Sequence, residues 1–168
     1  MKIRNNIIIL LFFFVLNAHE LRAATNSVVA HMVFSDALQI VNVTPINFGT
    51  LLAGSAGTYV LSSSGAVTGT DQDAVLGGTT GAGSMTISGS STQTISISTQ
   101  NYQPDGGVTP SLATCSYDGG SEVPCALAGQ APPSSGKLLL VGVTVNVDGT
   151  QAIGAVAEPS FDVVVSYQ

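Results

Sequence analysis

The stretch KLLLVGVTVNV, residues 137–147, decides the fold class of this chain. In its second half Val143, Val145 and Val147 alternate with Thr and Asn. A two-residue period of this kind is typical of a β-strand that buries one face. The stretch QTISIST at 93–99 repeats the pattern, with isoleucines alternating with small polar residues.

Other short apolar runs lie on both sides of these two and are separated by clusters rich in Gly, Pro, Asn and Asp. The runs are VVAHMVF (28–34), ALQIVNV (37–43), SMTISG (84–89), SLATCSY (111–117) and FDVVVSY (161–167). Many short strands joined by turn residues predict an all-β, antiparallel sandwich. We expect about seven to nine strands in an immunoglobulin-like arrangement.

The first 23 residues have the layout of a secretory signal peptide. Lys2 and Arg4 precede an apolar run over 7–16, and small residues follow at Ala23 and Ala24. The run is shorter than the roughly 20 residues that a membrane-spanning helix needs. We therefore predict cleavage after Ala23, with Ala24 as the alternative, and a single mature domain over 24–168.

The charge balance of the mature chain excludes several kinds of partner. The leader holds Lys2, Arg4, Arg22 and Glu20, which leaves Lys137 as the one basic residue against nine acidic residues, a formal net charge of −8. One cation cannot neutralise a phosphate backbone, so nucleic-acid binding is not expected. No second apolar run is long enough to predict membrane insertion after the signal is removed.

The two cysteines, Cys115 and Cys125, lie in CSYDGGSEVPC. In an exported chain an even pair predicts a disulfide. The Asp-Gly-Gly between them is typical of a hairpin turn, so we expect the bridge to join neighbouring strands. The alternatives are two free thiols or, with less support, a zinc site.

Few residues suggest catalysis. His31 is the one histidine of the mature chain, and we interpret it as an outward-facing strand residue. Asp71 and Asp73 could be two calcium ligands, but the rest of a calcium loop is missing and turn formation is the simpler interpretation. We predict that the protein is not an enzyme and has no cofactor or metal.

Several motifs, taken in their order along the chain, resemble an exported bacterial family catalogued as domain of unknown function 4402. They are INFGTLLAGSAGTYVL (46–61), AVLGG (74–78), SMTISG (84–89), KLLLVGVTVNV (137–147) and QAIGAVAEPSFDVVVSYQ (151–168). The family is similar to fimbrial subunits. The hairpin that carries the cysteines lies outside the shared pattern.

The last of these motifs also resembles the end of chaperone–usher pilins, in the positions of Tyr167 and Gly154. The resemblance implies an immunoglobulin-like sandwich that lacks its last strand, which a periplasmic chaperone and then the next subunit supply. It assigns Gly154, Phe161, Val163, Val165 and Tyr167 to the edge that binds these partners. Strand addition of this kind combines main-chain hydrogen bonds with pockets for alternate side chains.

A donor segment is then expected within residues 24–35. Val28, Ala30, Met32 and Phe34 alternate there and could fill one face of a strand. The same period also fits a first strand that stays in its own sandwich.

These expectations lead to two hypotheses about function. The first is a structural, pilin-like subunit of a cell-surface fibre, or an adhesion protein, that is exported to the periplasm and cell surface and polymerises with like subunits. The second is a self-contained secreted sandwich that binds a ligand or coats the surface without polymerising.

Overall fold

The computed structural model describes residues 29–168, and these residues confirm the predicted all-β fold. Twelve strands are present in the described part, more than the seven to nine expected, because several contain only two or three residues. In chain order they are β1 (Gln39–Thr44), β2 (Thr50–Leu51), β3 (Gly57–Leu61), β4 (Val67–Gly69), β5 (Val75–Gly77), β6 (Gly83–Ser88), β7 (Ile95–Gln103), β8 (Val108–Tyr117), β9 (Val123–Pro124), β10 (Ala126–Gln130), β11 (Lys137–Val147) and β12 (Ser160–Tyr167). A short 3-10 turn covers Gln72–Ala74.

The larger sheet is built around β11. One edge of β11 pairs with β6 along its first half and with β3 along its second half, while the other edge pairs with β8. Strand β1 pairs with the outer edge of β6. Leu139, Val141, Val143 and Val145 of β11 are all buried, which explains the alternating sequence from which the fold was predicted.

The smaller sheet contains three antiparallel strands in the order β10-β7-β12. Ile95 and Ile97 of β7 are fully buried and pack in one cluster with Leu139 and Val141 of the larger sheet. The two sheets thus face each other across a shared core, as in a β-sandwich.

The strand order is that of an immunoglobulin-like sandwich. Such a sandwich has strands A, B, E and D in one sheet and C, F and G in the other. Strands β1, β6, β11 and β8 follow the first order, and β7 and β12 correspond to C and F. The short strands β2 to β5 and β9 to β10 are additions to this frame.

The disulfide between Cys115 and Cys125 is present, as the sequence predicted. Cys115 lies on β8, and Cys125 lies between β9, which belongs to the larger sheet, and β10, which belongs to the smaller one. Both residues are buried in the same cluster as Ile95, Ile97, Leu139 and Val141, which we call the main core cluster. The bridge therefore holds the point where the chain crosses from one sheet to the other.

Residues 29–38 contain no strand, so the described part of the 28–34 segment is not a first strand of the sandwich. Residues 34–168 form one compact unit. The predicted signal peptide over 1–23, and Val28 with it, lie outside the described residues. Within 29–168 no helix combines the length and apolar character needed to cross a membrane.

Candidate strand-addition site

One edge of β12 has no partner among the described residues. Its other edge pairs with β7 along Ser160–Tyr167. In an immunoglobulin-like sandwich the position beside strand F is occupied by strand G. We refer to this unpaired side of β12 as the open edge, and its row of main-chain donors and acceptors can accept another strand.

The core beside the open edge is incompletely covered. Phe161, Val163, Val165 and Tyr167 point towards the main core cluster, yet each is only partly buried. The inward residues at the start of β7, by contrast, are fully buried. The difference follows from position, because β7 has a strand on each side and β12 has a strand on one.

Strand β1 is similarly uncovered at the edge of the opposite sheet, and all six of its residues are exposed. Ile40 pairs with buried Ile87, so its side chain lies on the inner face of the sheet, where it remains 39% exposed. A register shift follows between Val41 and Thr44 and includes Asn42, which has a positive φ of 55°. Val43, in this irregular part, is 64% exposed.

The Tyr167 hydroxyl links three parts of the chain at one end of β12. It accepts a hydrogen bond from the Ser90 N–H and donates one to the Asp36 carbonyl, each at 2.6 Å. Gly89 makes this possible, because a Cβ atom at that position would overlap the Tyr167 hydroxyl. Tyr167 thus holds the segment before β1 against the C-terminal end of β12.

An apolar cavity of about 330 Å³ lies at the opposite end of the sandwich, where β12 begins. Phe48, Val108, Val145, Val147 and Pro159 contribute its apolar walls. No Asp, Glu, Lys, Arg or His lines the cavity, so it is suited to an uncharged group.

Gly154, assigned to the partner-binding edge from the sequence, lies outside β12. It adopts a positive φ of 80° in the loop before that strand and lines the cavity instead. The neighbouring loop residues Ile153 and Val156 are 95% and 79% exposed. The sequence therefore placed Gly154 near the site but did not indicate the cavity.

The described members of the predicted donor segment are all exposed. Ala30 is solvent-accessible, Met32 is 73% exposed and Phe34 is 89% exposed. Apolar side chains left in water are unfavourable by about 25 cal/mol for each Å² of apolar surface. The segment would therefore gain stability from an apolar surface to bind.

The open edge is apolar and nearly without charge. Asp162 is the one charged residue of β12, and its carboxylate accepts a hydrogen bond from the Asn101 side chain. His31, the residue considered for catalysis, is exposed. Within 29–168 no group of three or more His, Cys, Asp or Glu residues could hold a metal ion.

Comparisons of the chain with protein-family models, with curated proteins and with solved structures found no match.

Proposed function

We propose that this chain is a structural, pilin-like subunit of a cell-surface fibre or an adhesion protein, and that it assembles by β-strand addition. The observation that carries the proposal is the strand position beside β12 that no described residue fills, which is the position of strand G in an immunoglobulin-like sandwich. A strand added there would pair with the open edge of β12 and cover Phe161, Val163, Val165 and Tyr167.

The donor would be the segment within residues 24–35 of another subunit. Its alternating Ala30, Met32 and Phe34 match the two-residue period that a strand at the open edge requires. Main-chain hydrogen bonds would supply affinity, and the partly buried core beside β12 would supply pockets. Burial of these apolar residues would provide the driving force.

The same edge would bind a periplasmic chaperone before assembly, because an uncovered apolar edge readily pairs with other chains. The disulfide indicates an oxidising environment outside the cytoplasm. A signal peptide over 1–23 would direct the chain to that environment and would then be removed. Cell-surface export follows from the resemblance to fimbrial subunits and is part of the proposal.

The test uses the mature chain 24–168, a form that lacks 24–35, and a synthetic peptide of residues 25–35. We expect the complete chain to associate and the shortened form to bind the peptide. A peptide with Met32→Asp should lose binding, because Met32 would face the core. Its matched control, Val33→Asp, should retain binding, because successive side chains of a strand alternate and the Val33 side chain would face away from the core.

Sedimentation velocity and peptide titration are the measurements. If the complete and shortened forms are both monomeric, equally stable and unable to bind the peptide, the proposal is wrong and the self-contained sandwich is favoured.

A further inference from the structure

The apolar cavity lies between two loops at the end of the sandwich. Residues from 48–53 line one side of it, and residues from 151–159 line another. Val108, Val145 and Val147 of the larger sheet complete the apolar lining. With a volume of about 330 Å³, the cavity has the size of the smaller sites at which proteins bind small molecules.

One polar side chain of the lining, Gln151, is held in a fixed orientation. Its amide nitrogen donates hydrogen bonds to the Gly106 carbonyl at 2.8 Å and to the Asp148 carboxylate at 2.9 Å. The opposite amide orientation would set the oxygen against these two acceptors, so the hydrogen bonds determine which way the amide points. Gly107 leaves room for this arrangement, because a Cβ atom there would overlap the Asp148 carboxylate and the Gln151 nitrogen.

The amide oxygen of Gln151 is left without a hydrogen-bond donor. It is buried, and no described residue donates to it. Buried polar atoms without a partner are rare in folded proteins. Water is a poor partner here, because a buried water typically makes about three hydrogen bonds, and Thr50 has the one other polar side chain among the described lining residues. A molecule that fills the apolar space and also carries a donor would satisfy both features.

The surroundings of the cavity restrict the charge of such a molecule. None of the described residues that line it is ionisable, so an ion inside would lose its hydration without gaining a counter-charge. The excess of acidic over basic residues in the mature chain also repels anions. The Asp148 carboxylate beside Gln151 already accepts hydrogen bonds from the main chain and the hydroxyl of Thr150.

We propose that the cavity binds a small uncharged molecule that has a compact apolar body and one hydroxyl or N–H group. The apolar body contacts Phe48 and the three valines, and the polar group donates a hydrogen bond to the Gln151 amide oxygen. Because this oxygen is covered in the chain alone, the loop over 151–157 shifts slightly to admit the donor. The inference is independent of strand addition, since no residue of β12 lines the cavity.

Three naphthalenes that differ in one substituent test the proposal on the mature chain 24–168. At neutral pH 2-naphthol is an uncharged donor, 2-fluoronaphthalene is similar in size but has no donor, and 2-naphthoate is an anion. The chain has no Trp, so naphthalene fluorescence can be titrated without a tryptophan background. We expect 2-naphthol to bind about three- to tenfold more tightly than 2-fluoronaphthalene, which corresponds to one net hydrogen bond, and 2-naphthoate not to bind. Equal or tighter binding of 2-fluoronaphthalene would overturn the inference, because apolar contact alone favours the more apolar probe.

Methyl resonances in NMR spectra locate the bound probe. We expect 2-naphthol to shift the methyl signals of Val145 and Val147 and to leave those of Val163 and Val165 on β12 unchanged. Shifts confined to β12 would place the probe at the open edge and would overturn the cavity site.

The Gln151→Met variant keeps a side chain of similar length and removes the amide. We expect it to bind 2-naphthol and 2-fluoronaphthalene equally, whereas the matched control Gln93→Met, near the opposite end of the sandwich, should keep the preference for 2-naphthol. An unchanged preference in Gln151→Met would overturn the role of the Gln151 oxygen. Thermal unfolding checks that each variant is folded; if Gln151→Met is not, the three probes and the methyl shifts on the natural protein still decide.

Discussion

At the scale of single residues, the hydroxyl groups of Tyr167 and Tyr59 differ in whether they have a hydrogen-bond partner. The Tyr167 hydroxyl has two, the Ser90 N–H and the Asp36 carbonyl. The Tyr59 hydroxyl is buried and has none among the described residues. Burial, and to a smaller extent the Asp71 carboxylate, raises the pKa of Tyr59. Removal of the two hydroxyls should therefore have different effects.

We predict that Tyr167→Phe lowers the free energy of unfolding by about 1–2 kcal/mol, because it leaves the Ser90 N–H and the Asp36 carbonyl without this partner. Tyr59→Phe is the matched control and should be neutral or stabilising, because its hydroxyl loses no hydrogen bond. Urea unfolding of both variants is the measurement. Equal losses in the two variants would contradict the prediction.

Glu122 is held by two hydroxyl groups from different parts of the chain. Ser63 and Thr114 each donate a hydrogen bond to its carboxylate. Burial opposes ionisation of the carboxyl, but the hydrogen bonds outweigh it, and the pKa of Glu122 falls below its usual value of 4.5. A lowered pKa in the folded state means that ionised Glu122 stabilises the fold.

We predict that this contribution is fully present above pH 4.5 and is lost as the pH falls through the lower folded pKa. The side chain of the Glu122→Gln variant cannot titrate, so this variant should lose less stability than the natural protein when the pH is lowered. Urea unfolding between pH 3 and pH 6.5 would measure the difference between the two proteins. Ser63→Ala, which removes one donor, should give an intermediate curve; a constant difference across this range would contradict the assignment.

At the scale of elements, the disulfide connects β8 to the segment that carries the chain into the other sheet. The Cys125 N–H also donates a hydrogen bond to the Ala113 carbonyl, so the crossing is held by both a covalent and a main-chain contact. The ten-residue sequence separation between the cysteines makes the closed loop short.

We predict that replacing Cys115 and Cys125 together by alanine lowers the free energy of unfolding by roughly 2–3 kcal/mol, as the loop-entropy relation gives for a loop of this size. Chemical denaturation with and without dithiothreitol is the measurement. Reductant should destabilise the natural protein by a similar amount and leave the double variant unchanged. Destabilisation of the double variant by reductant would show that the effect does not come from the disulfide.

The elements also show why the sequence predicted some strands and not others. The runs at 137–147, 93–99 and 161–167 contain alternating apolar residues, and each was expected to be a strand; they correspond to β11, β7 and β12, although β7 extends to Gln103. The bulge of β1 at Asn42 interrupts the alternation, so the sequence did not indicate which residues of β1 face inward. The cavity was not expected, because its walls come from loops and strand ends that are distant in sequence.

At the scale of the whole molecule, the net charge opposes the proposed assembly of like subunits. With the predicted signal removed, the chain has nine acidic residues and one basic residue, Lys137. Lys137 forms an ion pair with Asp118. Copies of the mature chain therefore repel one another at long range, and salt screens such repulsion over about 10 Å at 0.1 M.

We predict that the mature chain associates several-fold faster at 0.5 M than at 0.02 M sodium chloride. Light scattering at fixed protein concentration would follow the rate. The form lacking 24–35 is the control and should not associate at either salt concentration. A rate that falls with added salt would mean that attraction between charges, not burial of apolar surface, drives association.

The hydrogen bond between Tyr167 and Asp36 has a mechanical consequence. It joins two points that are 131 residues apart along the chain. Tension applied between these points would load this single contact first and would leave both sheets initially unstretched. If neighbouring copies pull on the chain through residues 28–34 on one side and through β12 on the other, this hydrogen bond would transmit the force directly between them, without loading the core.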